Sequence, residues 1–236
     1  LVETMAERGV DFIEIQIPFS DPTADGPVIT QACQAALDGG VRVQDAFEFM
    51  EQVSGRYDLP FLFMSYFNIA FAYRQEASGG RGGADGVAGF VAASAAAGAS
   101  GLILPDLPPE LVREGYKEAC DKAALHPVYV VSLNTGKERL EVIAEAGSGL
   151  LYATSRTGTT GKEMDLEMQE LTGFLASARE TCGMPIAVGF SISTREQVES
   201  LSGHADIAVV GTHFIRTWEE GGVEALAAEL NKLTGS

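Results

Sequence analysis

Several residue types are scarce in this chain. Of its 236 residues, three are cysteine, three histidine and one tryptophan, and 16 Lys and Arg stand against 33 Asp and Glu. The resulting net charge of −17 argues against a polyanion such as nucleic acid as the natural partner. It leaves room for a small phosphorylated ligand, because backbone N–H groups bind phosphate without local Lys or Arg. Cys33, Cys120 and Cys182 stand singly, so no disulfide framework or zinc site is legible, and a reduced, cytoplasmic setting is expected. No apolar run approaches the ~20 residues of a membrane span. A His-Glu-x-x-His pair, a Walker loop and a Gly-x-Gly-x-x-Gly between strand and helix are all missing, and neither a metal nor a bound cofactor is expected. An initiator Met is missing too. The chain starts at Leu1 within a helical pattern, so an upstream segment is expected and a targeting peptide cannot be judged.

Hydrophobic content of 46% suits a full core, and the length fits one domain over 1–236, since single α/β barrels run to about 250 residues. One unit recurs: helix, Gly or polar break, short apolar strand, then a loop rich in Pro, Gly, Ser or Thr. Strands are expected over 11–17, 60–66, 100–105, 127–132, 149–154, 185–190 and 206–210. Helices are expected over 28–38, 44–54, 87–97, 110–124, 137–146, 165–181, 194–202 and 222–234. Thr135-x-x-Glu138 and Ser193-x-x-Glu196 read as capping boxes. Alternating strands and helices predict parallel βαβ units, hence a barrel or a doubly wound sheet. Seven strands with an eighth upstream of Leu1 favour a TIM (β/α)8-type barrel lacking its first strand. The Gly-rich stretch 78–86 reads as a flexible surface insertion.

The densest chemistry lies in Glu14-Ile-Gln-Ile-Pro-Phe-Ser-Asp-Pro-Thr-Ala-Asp-Gly-Pro27. Ile13, Ile15 and Ile17 share one strand face, and Glu14 points the other way with Phe12 and Gln16. A carboxylate on a strand covered on both faces is half-desolvated, which raises its pKa and suits it to proton transfer; pairing with an Arg or Lys is the competing reading. A stiff loop then carries Asp25 to the same end of the strand, and two carboxylates in unlike surroundings are a common way to divide acid and base roles.

In a barrel the functional residues sit at the C-terminal strand ends. Ser155-Arg-Thr-Gly-Thr-Thr160-Gly161 follows the fifth strand counted here, as either a donor-rich lid or a plain surface loop. Ser191-Ile-Ser193 and Gly211-Thr212 follow the last two strands, the usual place for a phosphate site. Tyr152 faces either the interior or the core, Tyr66 and Asn68 end the second strand, and His213 reads as structural.

These residues resemble the α subunit of tryptophan synthase. Pro18-Phe-Ser-Asp-Pro-Thr-Ala-Asp-Gly-Pro27 is similar to that family's signature. Met64-Ser-Tyr-Phe-Asn68, Pro105-Asp-Leu-Pro108, 155–161, Gly189-Phe190 and Gly211-Thr212 follow its later landmarks in order. The resemblance implies a TIM barrel that cleaves indole-3-glycerol phosphate to indole and glyceraldehyde 3-phosphate by retro-aldol chemistry. It further implies an α2β2 assembly with a β subunit that carries pyridoxal phosphate and receives the indole. By position it implies Glu14 as the general acid/base and Asp25 as the carboxylate on the indole N–H. Tyr66, Tyr152, Thr160, Gly161 and Phe190 fall at the substrate, Gly189, Ser191, Gly211 and Thr212 at its phosphate, and Pro18, Asp21, Asp106 and Pro108 at the β-subunit face. Three positions depart from the pattern: Gln16 and Ser191 replace Gly, and Thr212 replaces Ser. Gln16 is expected to narrow the site or to bond Glu14. Other phosphate-binding barrel enzymes (isomerases, epimerases) and a non-catalytic activator of a β-type subunit are the competing functions.

Overall fold

In a computed structural model of the chain, the described residues are 1–74, 86–110, 115–154, 162–189 and 191–235, with side chains 162–168 left aside. Most of the Gly-rich stretch 78–86 and all of the loop 155–161 lie outside them. Among the described residues seven strands form: β1 (Ile13–Gln16), β2 (Phe61–Met64), β3 (Gly101–Ile103), β4 (His126–Ser132), β5 (Leu151–Thr154), β6 (Ile186–Gly189) and β7 (Ile207–Val209). The helices among the described residues are α1 (Val2–Ala6), α2 (Pro27–Asp38), α3 (Val43–Ser54), α4 (Phe67–Ala72), α5 (Gly86–Ala96), α6 (Tyr116–Ala123), α7 (Lys137–Ala146), α8 (Lys162–Cys182), α9 (Arg195–Ser200) and α10 (Thr212–Thr234). Each strand pairs in parallel with its chain neighbour, so the order is β1 to β7 without a reversal. A doubly wound sheet reverses its strand order at a switch point, whereas a TIM barrel does not. The topology is therefore of the TIM-barrel type, the one of the two arrangements that the strand count favours.

By contacts the chain divides into two compact units, Asp11–Val128 with Val2, and Tyr129–Ser236 with Leu1 and Glu3–Val10. In the first, α3 buries Ala46, Phe47, Met50 and Val53, the i, i+1, i+4, i+7 stripe of an amphipathic helix. Phe47 meets Phe63, Phe90 and Tyr73 edge-on at ring-centroid distances of 5.4, 5.5 and 5.6 Å. Phe61 and Phe63 are wholly buried. A one-residue slip of β2 would exchange its two buried faces and turn Phe63 away from this cluster, so the packing fixes the register that the site needs.

In the second unit, α8 packs on α7 and buries Leu171, Leu175 and Ala178 at helical spacing, while Leu151, Ala153, Ile186 and Val188 of the sheet are fully buried. The Asp206 carboxylate, just before β7, accepts from the Ile186 N–H at 2.7 Å and from Arg179 at 2.8 Å. Those bonds tie the starts of β6 and β7 to α8, and they hold the Asp206 carboxyl below the usual carboxylate range, the backbone donor first.

Among the described residues the structure departs from the sequence expectation at α4, at α10 and at two helix caps. Helix α4 forms where the sequence suggests a loop. Helix α10 begins ten residues before the expected 222, with a break at Gly222 (φ 62°, ψ −151°), so the expected helix is its second half. Neither expected capping box forms. Thr135 Oγ1 accepts from Ser132 N while Gly136 caps α7, and the cap of α9 is Thr194 with Gln197, one residue later than expected.

Candidate active site

Within the unit 11–128, alternation along β1 puts Glu14 and Gln16 on one face, both half-buried, and Ile13 and Ile17 on the other, both buried. Register places Leu62 beside Glu14 and Met64 beside Gln16, each nearly inaccessible at 4% and 6%. The carboxylate of Glu14 thus stands on a largely apolar strand face. Gly101 is next in the same row, and a Cβ there would lie 2.8 Å from Leu62 Cδ2, so a residue without a side chain lets Leu62 lean across.

After β1 the loop turns back over the strand end. Phe19 stacks on Tyr66 at 5.1 Å and Pro22 is buried, which anchors the loop at two points. The Tyr66 hydroxyl, 1% exposed as a residue, joins them: it accepts from Ala24 N–H at 2.9 Å and donates to Asp25 Oδ2 at 2.8 Å. Gln16 Nε2 donates to the same Oδ2 at 2.7 Å. Two donors converge on one oxygen, and Oδ1 accepts nothing from the described residues. Asp25 is thereby fixed beside the residue two places along from Glu14, a separation of about 6.6 Å along a strand. Burial, reinforced by the Asp25 carboxylate, pushes the Tyr66 phenol far above its ordinary range, so it remains a donor at any working pH.

Asp106, exposed in the loop after β3, accepts from Phe67 N–H at 2.8 Å. This supplies the cap that Tyr66 at the N-cap of α4 does not, and a sequence reading has no access to an acceptor 39 residues away. Asp21 is exposed like Asp106, while Pro18 and Pro108 are half-buried, all four on loops that follow β1 and β3.

Within the unit 129–236, Tyr152 and Thr154 share the half-buried face of β5, with Leu151 and Ala153 wholly buried on the other. Gly189 ends β6, and a Cβ there would lie 3.0 Å from Tyr152 Oη and 3.1 Å from Cε1, so the ring of Tyr152 lies across the glycine. Ser191 is exposed in the segment before α9, where the Ser193 and Thr194 N–H groups are satisfied by Gln197. Gly211 is the N-cap of α10, without a side-chain cap, and Thr212 opens the helix. Its first N–H groups are donors of the kind that bind anions. His213 Nε2 lies 3.1 Å from Glu229 Oε1, which agrees with a structural role. The expected site residues Thr160, Gly161 and Phe190 lie outside the described residues.

A family model for the tryptophan synthase alpha chain matches residues 1–234. The chain belongs to that family. Relatives include the tryptophan synthase alpha chains of Syntrophotalea carbinolica, 43% identical over 99% of this chain and 87% of theirs, and of Desulforapulum autotrophicum, 42% identical with the same coverage. Among solved structures, Mycobacterium tuberculosis tryptophan synthase superposes with a TM-score of 0.84 at 31% identity, covering 99% of this chain and 85% of that one. The tryptophan synthase complex of Pyrococcus furiosus gives 0.83 at 30%, covering all of this chain and 90% of that one. The family's TIM-barrel fold agrees with the strand order found here. The protein is a lyase of tryptophan biosynthesis that cleaves indole-3-glycerol phosphate. Among the described residues no helix is long and apolar enough to cross a membrane.

Proposed function

We propose that Glu14 and Asp25 perform the cleavage at the indole end of the substrate. The carboxyl of Glu14 gives its proton to indole C3, which becomes tetrahedral while positive charge develops at the ring nitrogen. Asp25 Oδ1 accepts the ring N–H and stabilises that charge. Glu14, now a carboxylate, takes the proton of the glycerol hydroxyl next to C3. The bond from C3 to the glycerol carbon then breaks, its electron pair returns to the ring, and an aldehyde forms. The proton that Glu14 lent is recovered, so the cycle needs no cofactor in this chain. Proton transfers of this kind are worth roughly 10²–10⁴-fold each. The observation that carries the reading is the convergence of Gln16 and Tyr66 on Asp25, which pins a second carboxylate beside the strand face that bears the first.

Gly189, Ser191, Gly211 and Thr212 supply the donors for the phosphate, with Phe190, Tyr152, Thr160 and Gly161 about the substrate. Tyr66 serves the site through Asp25. The released indole passes to a β subunit carrying pyridoxal phosphate, in an α2β2 assembly that meets this chain at Pro18, Asp21, Asp106 and Pro108. The solved complex among the structural relatives supports the pairing, and three lone cysteines support a cytoplasmic location.

The test is indole release from indole-3-glycerol phosphate, with and without a β subunit. Glu14→Gln keeps the shape and loses the proton, and turnover is expected to fall at least 10²-fold with the melting temperature unchanged. Turnover within a few-fold of the parent rejects Glu14 as the acid.

A further inference from the structure

We propose that Gln16 is a positioning residue for the cleavage, holding Asp25 with one oxygen open toward the ring N–H. This rests on the reading of Asp25 given above. A carboxylate in the turn around residues 23–25 has its own rotamers to choose from, and an acceptor for a developing charge must be set before the charge appears. Gln16 is suited to set it. It sits on a strand, in register with the buried Met64, and donates at 2.7 Å to Oδ2. Tyr66 donates to that same oxygen at 2.8 Å. Both bonds on Oδ2 fix the carboxylate plane and leave Oδ1 as the open acceptor.

The chemistry of the amide matters as much as its place. An ionised carboxylate only accepts, so the Gln16 NH₂ must be the group that faces it. That amide orients Asp25 without bringing a positive charge. Lys or Arg at position 16 would orient it equally but cancel the negative charge on which stabilisation of the ring nitrogen depends. A neutral donor at this point retains the full charge of the acceptor.

The experiment is a double-mutant cycle on indole release by the whole protein, using Gln16→Met, Asp25→Ala and the pair. Methionine keeps the length and packing of glutamine and removes the donor. In the parent background Gln16→Met is expected to lower kcat about tenfold, the lower end for a hydrogen bond to a charged group in a half-buried site, with KM changed less than about threefold. In the Asp25→Ala background the same substitution is expected to cost nothing further, because the group it positions has gone. Gln16→Lys is expected to lose more than Gln16→Met. An equal loss from Gln16→Met in both backgrounds, or no loss in either, overturns the inference while leaving Asp25 in its role. If Asp25→Ala alone keeps turnover within a few-fold of the parent, the reading of Asp25 fails, and the role of Gln16 with it.

Discussion

Replacing Tyr66 by Phe separates the brace from the core. The ring is 1% exposed and stacks on Phe19, and both features survive in phenylalanine. No cavity opens, so the 3–5 kcal/mol typical of deleting a buried aromatic does not apply. What is lost is one oxygen that accepts from Ala24 and donates to Asp25. Ala24 is exposed and Asp25 half-exposed, so water replaces part of each bond. The loss in stability should be about 1–1.5 kcal/mol, near the net value of a single neutral hydrogen bond. In a domain of this size that lowers the melting temperature by about 2–6 °C, read by circular dichroism. Activity should suffer more, about tenfold in kcat, since one of the two donors that set Asp25 has gone. The pH dependence has a definite sign. Burial raises the Tyr66 phenol above its unfolded value near 10, so the unfolded chain ionises first. Stability therefore falls as pH climbs from about 10 toward the higher native value, and Tyr66→Phe should flatten that decline. A variant with full activity, or one that melts more than about 10 °C lower, would refute the assignment of Tyr66 as a brace on Asp25.

Two other substitutions probe the second unit. In Gly189→Ala the new Cβ meets Tyr152 Oη at 3.0 Å and must displace the ring; KM should rise about three- to tenfold for roughly 1–2 kcal/mol of stability, and unchanged kinetics would show that the ring position is irrelevant. Asp206→Ala removes the tie between Ile186 N–H and Arg179 and should cost about 1 kcal/mol at neutral pH, as measured by urea unfolding. Because the Asp206 carboxyl is held below its unfolded value near 3.9, that contribution is present above about pH 4 and fades as pH falls through the lower native value. The parent and variant curves should converge in acid, and a constant gap would contradict the assignment.

The barrel order is legible in the sequence because each strand is short, apolar and set between helices with visible periodicity. Every expected strand contains or overlaps an observed one. Ile13, Glu14, Ile15 and Gln16 alternate in hydropathy, and that period alone is enough to put Glu14 and Gln16 on a common face. The rest depends on where loops return. The sequence suggests that Gln16 narrows the site or bonds Glu14, and no spacing along the chain says that the loop brings Asp25 to its amide. That return is set by the Phe19 stack, the buried Pro22 and the Tyr66 hydroxyl, two of which involve a residue about 40 positions away. Helix α4 escapes a sequence reading for a similar reason, since its cap comes from Asp106 in the loop after the neighbouring strand β3. The early start of α10 is hidden because Gly211-Thr212 reads as a turn and Gly221-Gly222 as a helix start, and the break at Gly222 is what that pair marks.

The most direct test is a crystal structure of the protein with a non-cleavable analogue, indole joined to a propyl phosphate. The ring nitrogen should lie within about 3 Å of Asp25 Oδ1, a hydrogen-bonding distance. The Glu14 carboxyl should face C3, and Gln16 and Tyr66 should remain on Oδ2. A ring nitrogen turned away from Asp25, or a Glu14 carboxyl directed away from C3, would contradict the division of work between the two acids.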